Sequence, residues 1–123
     1  MKIQIQSQSL RLRIDESELA RLLAGEVLEN QTWLGTPGVL SQRLQLHDTV
    51  EALLDGDAHT LTVKLPREDV LALQARLPCR DGLSFALHTQ AQPLQLQFDV
   101  DVRDSVRQRG VQRRSSADAV SLS

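Results

Sequence analysis

The chain has 123 residues, a formal net charge of −2 and a pI near 5.9, enough for one domain with one core and too acidic for a dedicated nucleic-acid binder. Its apolar residues are almost all Leu, Val, Ala and Ile, with one Trp, two Phe and no Tyr, so it lacks the aromatic platforms on which single-stranded bases stack. A lone Cys79 excludes an intramolecular disulfide, and with His47, His59 and His88 it gives no zinc spacing.

No run approaches the ~20 apolar residues of a membrane span, and the N-terminus lacks the apolar stretch of a signal peptide. A cytoplasmic chain with no membrane partner is the expectation.

Period-two alternation dominates the start. MKIQIQ puts Ile3 and Ile5 on one face, and LRLRI puts Leu10, Leu12 and Ile14 on one face with Arg11 and Arg13 on the other. The apolar parity switches from odd to even across QSQS at Gln6–Ser9. A one-residue slip would turn a strand's apolar set outward, so a hairpin turn is expected there. Asp15 is then placed to cap a helix, with Glu16 and Glu18 in its first turn and a stripe of Leu19, Leu22 and Leu23. Gly25 supplies the stop.

Further strands are expected over Val27–Leu34, Val39–His47, Val50–Leu54 and Thr60–Leu65, separated by turn chemistry in GTPG at Gly35–Gly38 and DGD at Asp55–Asp57. A second helix opens near Pro66, with Glu68 and Asp69 in its first turn and Val70, Leu73 and Leu77 as its buried stripe, and Pro78 ends it. Cys79, just beyond, reads as a buried, inert thiol. Strands over Leu83–His88 and Leu94–Val102 complete the pattern. In the last of these, Leu94, Leu96, Phe98, Val100 and Val102 face in, and Gln95, Gln97, Asp99 and Asp101 face out.

Two segments repeat. SLRLRIDESELARLL from Ser9 matches TLTVKLPREDVLALQ from Thr60 at an offset of 51, and RLQL at Arg43–Leu46 matches PLQL at Pro93–Leu96 at an offset of 50. A duplicated β-α-β-β unit accounts for both. The fold expected is α+β: a mainly antiparallel sheet of seven to eight strands with two short helices on one face, spanning residues 1–102, with Leu12, Leu22, Val63, Leu73 and Phe98 in the core. Residues 1–102 carry nine Lys/Arg against fourteen Asp/Glu, −5, whereas 103–123 carry five Arg against two Asp, +3. Without apolar periodicity, residues 103–123 read as a disordered Arg-rich tail.

With the apolar face sealed, function falls to the polar face or a strand edge. His47, His59 and His88 stand beside no nucleophile motif, and no phosphate-binding or dinucleotide loop is present. The reading is a non-enzymatic binding or accessory module, meeting a protein partner or a second copy of itself through the polar face or an edge, without a cofactor. The alternative is an anion site built from Arg11, Arg13, Arg43 and Lys64, since Arg at alternate strand positions stand about 7 Å apart, a spacing suited to a phosphate cluster.

The opening M-K-I-x-I-x-x-x-S-L-R-L-R-I-x-x-x-E-L, Met1–Leu19, resembles a family of short bacterial proteins of unknown function that begin M-K-I-R-I, a polar turn, S-I-R-L-R-L and an acidic helix start. The match extends to T-V-K-L-P at Thr62–Pro66. Members tend to end in an acidic tail, whereas this chain has RDSVRQRGVQRR. At fold level the chain is also similar to the CYTH-type triphosphate tunnel proteins, built from duplicated β-α-β units around a polar interior. That resemblance implies triphosphate held by Arg11, Arg13, Arg43 and Lys64, magnesium held by Asp99 and Asp101, and metal-dependent phosphohydrolase chemistry. Those proteins carry E-x-E-x-K on the first strand, where this chain has KIQIQ at Lys2–Gln6.

Overall fold

The computed structural model describes residues 1–79 and 81–102; the tail read from the sequence at 103–123 lies outside the described residues. The first hairpin joins β1 (Lys2–Gln6) to β2 (Ser9–Asp15) through a two-residue turn at Ser7 and Gln8, with Ser7 at a positive φ of 52°. Its register sets Ile3 opposite Leu12 and Ile5 opposite Leu10. A two-residue loop pairs odd positions with even ones, which is why the apolar parity switches across QSQS.

Helix α1 (Glu16–Leu23) starts at a full capping box: Asp15 Oδ1 accepts from the Glu18 N–H at 2.7 Å, and Glu18 Oε1 accepts from the Asp15 N–H at 3.1 Å. Next come β3 (Leu28–Trp33), β4 (Val39–His47), β5 (Leu53–Gly56) and β6 (Thr60–Pro66). Helix α2 (Arg67–Ala75) begins at Pro66, which offers no side-chain cap; Glu68 and Asp69 serve its first turn instead. β7 (Leu83–Leu87) and β8 (Leu94–Asp101) close the described chain. The strand expected at Val50–Leu54 starts three residues later, because Ala52 is drawn into the core.

The single, mainly antiparallel sheet is corrected by the strand order. Eight described strands form two four-stranded mixed sheets, β1-β2-β8-β7 and β3-β4-β6-β5. Every hairpin is antiparallel, but the hairpins join through parallel central pairs, β2 with β8 and β4 with β6. Each helix carries the chain from one sheet to the other, so a hairpin meets one from the opposite half of the chain. Nor do the helices share one face: α1 packs on β2 and β8 of one sheet and β3 and β4 of the other, and α2 on β6 and β7.

One apolar cluster takes Leu10, Leu12, Ile14, Leu96, Phe98 and Val100 from the first sheet and Leu28, Leu44, Leu46, Val63 and Leu65 from the second. Leu19 and Leu22 of α1 and Val70 and Leu73 of α2 complete it. The five core residues expected from the sequence are all buried.

The repeated arrangement is β-β-α-β-β rather than β-α-β-β. The offset of 51 holds through the first hairpin and helix of each half: Leu12 and Val63, Leu19 and Val70, Leu22 and Leu73 occupy matching buried places. It does not drop to 50 afterwards. Leu44 pairs with Val63 and Phe98 pairs with Leu12, so Leu44 matches Phe98 and the RLQL–PLQL likeness is not a structural equivalence.

Two local expectations also change. Ile5, read as inward, is 69% exposed, because it lies near the end of an edge strand. Cys79 is half-buried and close to Arg76 rather than sealed in the core. No described helix is long and apolar enough to cross a membrane.

Candidate functional site

Arg11 and Arg13 stand on β2 in the first sheet, and Arg43 and Lys64 stand on β4 and β6 in the second. Each sheet has the shared core on its other side, so the two pairs do not converge on one concavity. Three of the four already face a carboxylate: Arg11 with Asp99 at 2.7 Å, Arg43 with Glu29 at 3.1 Å and Lys64 with Asp55 at 3.2 Å. Arg13, set opposite Asp99 in the β2–β8 register, has no ion pair among the described residues.

Asp99 departs from the outward, solvated placement expected of it. It points away from the apolar core yet is only 7% exposed. Arg11 Nε donates to one of its oxygens and Gln97 Nε2 to the other, at 3.1 Å. Gln97 also donates to the Asp81 carbonyl and accepts from Ser84 Oγ. The segment leading into β7 therefore lies over Asp99, and Gly82 is the point of closest approach. A Cβ there would collide with Asp99 Oδ1 and the Phe98 carbonyl, and its φ of 61° favours glycine. Asp101 shares this strand and is half-buried. Among the described residues, no group of three or more His, Cys, Asp or Glu side chains could hold a metal ion.

The more open feature lies where the sheets come together along their edges. β5 ends one sheet and β7 the other, and among the described residues neither has a strand on its outer edge. Between them runs a groove of about 620 Å³. Leu53, Leu54, Phe85 and Leu87 give its walls an apolar character, and Ser84 and Glu51 add polar groups. The turn before β5 forms its lip, pinned where His47 Nε2 meets the Glu51 carbonyl at 2.6 Å and Thr49 Oγ1 at 2.8 Å.

The matching seam in the other half lies between β1 and β3. There Asn30 Nδ2 donates to the Met1 carbonyl at 2.9 Å and ties the two edges together. At the open seam Phe85 stands in the place of Asn30 and Ala52 in the place of Met1, and the Phe85 ring has no N–H to donate to the Ala52 carbonyl. Sequence reading did not single out this groove. β7 reads LSFAL, an ordinary strand, and its status as an edge depends on a sheet order that local pattern does not encode.

A protein-family model matches residues 1–101, the span of both sheets and both helices. The chain belongs to the family of unknown function DUF7009. The DUF7009 match takes in the whole groove and the Arg11–Asp99 pair, and it stops short of the Arg-rich stretch that begins at Arg103. No curated protein matches the chain.

Proposed function

We propose that this domain is a non-enzymatic binding module that receives an extended peptide at the seam between β5 and β7. The observation that supports it is the meeting, across one groove, of two strand edges that have no partner strand among the described residues. An edge strand presents a row of unpaired N–H and C=O groups, and an added strand satisfies them while its alternate side chains enter the groove. Apolar walls supply affinity, and Glu51, Ser84 and His88 supply direction.

Lysine on an edge blocks strand addition at little cost to the fold. Leu53 and Ala86 are exposed lining residues, so Leu53→Lys/Ala86→Lys should abolish binding of an alternating apolar–polar peptide and leave the thermal midpoint in place. Equal binding to the wild type and the double variant would remove the reading.

A second reading rests on Arg11, which lines a shallow depression of about 420 Å³ with Gln4, Ile5, Gln6 and Ser9. With Arg13 it would serve a phosphate or triphosphate, with magnesium as an added requirement if the chemistry is hydrolytic. Ligand at 100 times its Kd would stabilise the fold by about 2.7 kcal/mol. Thermal shift with sulfate, pyrophosphate and triphosphate, with and without magnesium, tests this against Arg11→Ala/Arg13→Ala. An equal shift in that variant removes the reading.

A further inference from the structure

The open seam has a charge as well as a shape. From Asp48 to Asp57 the chain runs through the turn before β5, β5 itself and the start of the turn after it, and it carries Asp48, Glu51, Asp55 and Asp57 with no Lys or Arg. Glu51 lines the groove, and the other three stand on the same stretch to either side of its lining residues. Arg67 and Lys64 approach Asp48 and Asp55 from outside that stretch. Glu51 and Asp57 have no Lys or Arg partner among the described residues. The Gly56 N–H and Lys64 hold the Asp55 carboxyl below the usual carboxylate range, and the Thr60 and His59 N–H groups do the same for Asp57. The stretch that borders the groove is thus anionic around neutrality.

We propose, resting on the strand-acceptor reading above, that the occupant of the β5–β7 groove is basic, namely this chain's own Arg-rich segment, RDSVRQRGVQRR at 103–114. Three observations carry it. The domain through Val102 has a net −5 and the remainder +3, so the two are complementary. In an extended chain alternate residues share a side. Four of the segment's five arginines, Arg103, Arg107, Arg109 and Arg113, fall on odd positions with Arg114 on an even one, so an extended occupant would offer a mainly cationic side to the groove.

Reach is the third. β8 ends at Asp101, and Ser84, at one end of the groove, is paired with Gln97. That is four residues back along β8, roughly 13 Å at strand rise. Five extended residues span roughly 17 Å, so a chain leaving Val102 would reach the groove by residue 107, with Arg109, Arg113 and Arg114 still ahead of it. Such an occupant would cap the site and compete with any peptide from elsewhere.

Hydrogen exchange on the full chain tests this. The β5 and β7 amides should be protected at low salt, and Arg107→Gln/Arg109→Gln/Arg113→Gln should cut that protection by about tenfold or more. Raising the salt should have the same effect. A synthetic peptide of residues 103–114 should restore protection to the triple variant, and the same peptide with Gln for Arg should not. Protection unchanged by the triple substitution overturns the proposal, and protection that falls on dilution overturns the same-chain occupant. If both peptides of that pair fail while a neutral alternating apolar–polar peptide protects the seam, the basic occupant is wrong and the strand-acceptor reading stands. If no peptide protects the seam, both fall.

Discussion

Arg11 and Asp99 meet at 2.7 Å across the parallel pair β2–β8, joining residues that stand 88 apart in the chain. The Arg11 side chain is 42% exposed while that of Asp99 is nearly covered, so the two ends of this ion pair are not equivalent. Removing Arg11 leaves a covered carboxylate with Gln97 as its remaining side-chain donor. Arg11→Ala should therefore cost about 1–3 kcal/mol. In Arg11→Ala/Asp99→Ala the losses should fall short of additive by about 0.5 kcal/mol or more, measured by urea unfolding of the four proteins. Strict additivity would mean that the pair is uncoupled.

Phe98 is fully buried beside Leu12 in the central parallel pair, and Leu73, like Val70, is fully buried on α2. Phe98→Ala should destabilise by about 3–5 kcal/mol and Leu73→Ala by about 2–5 kcal/mol. Either is a large share of a small domain's stability. Unchanged denaturation midpoints would contradict the packing.

Gly82 tests the covering of Asp99. Gly82→Ala puts a methyl group against the Asp99 carboxylate and the Phe98 carbonyl, at a positive φ. The loss should be clear in thermal unfolding and smaller once Asp99 is shortened to Ala. Gly25→Ala also sits at positive φ but meets nothing within 4 Å, so it should show the backbone strain alone and no dependence on Asp99.

Acid sensitivity follows from the turn between β5 and β6. Asp57 Oδ1 accepts from the His59 and Thr60 N–H groups at 2.8 and 2.9 Å, which lowers its pKa in the folded chain. A depressed folded pKa contributes stability that is present above the unfolded Asp pKa of about 3.9 and is lost as pH falls through the folded value. Unfolding midpoints should decline as pH falls below about 5, and Asp57→Asn should flatten part of that slope. A variant with the wild-type slope would show that the turn does not contribute.

Local pattern carried the elements a long way. The alternation in LRLRI and LQLQFDVDV, the Asp15–Glu18 capping box and the DGD turn each act within a few residues, so hairpins and helices are legible from the sequence. The candidate site was less so. Arg11 and Asp99 were both singled out, for phosphate and for metal, but their contact depends on β2 lying beside β8.

What the sequence determined by itself, then, is which residues face inward and where strands turn into helices, because period two and helix capping are near-neighbour physics. Only the tertiary structure decided which hairpins pair. An alternating strand with one apolar face fits a parallel or an antiparallel neighbour, and partner choice came from how α1 and α2 carry the chain between sheets. The same crossing set β5 and β7 as the edges, among the described strands, of one seam and let Asn30 reach Met1 on the other. Edge and groove are properties of that sheet order, which no single strand's residues contain.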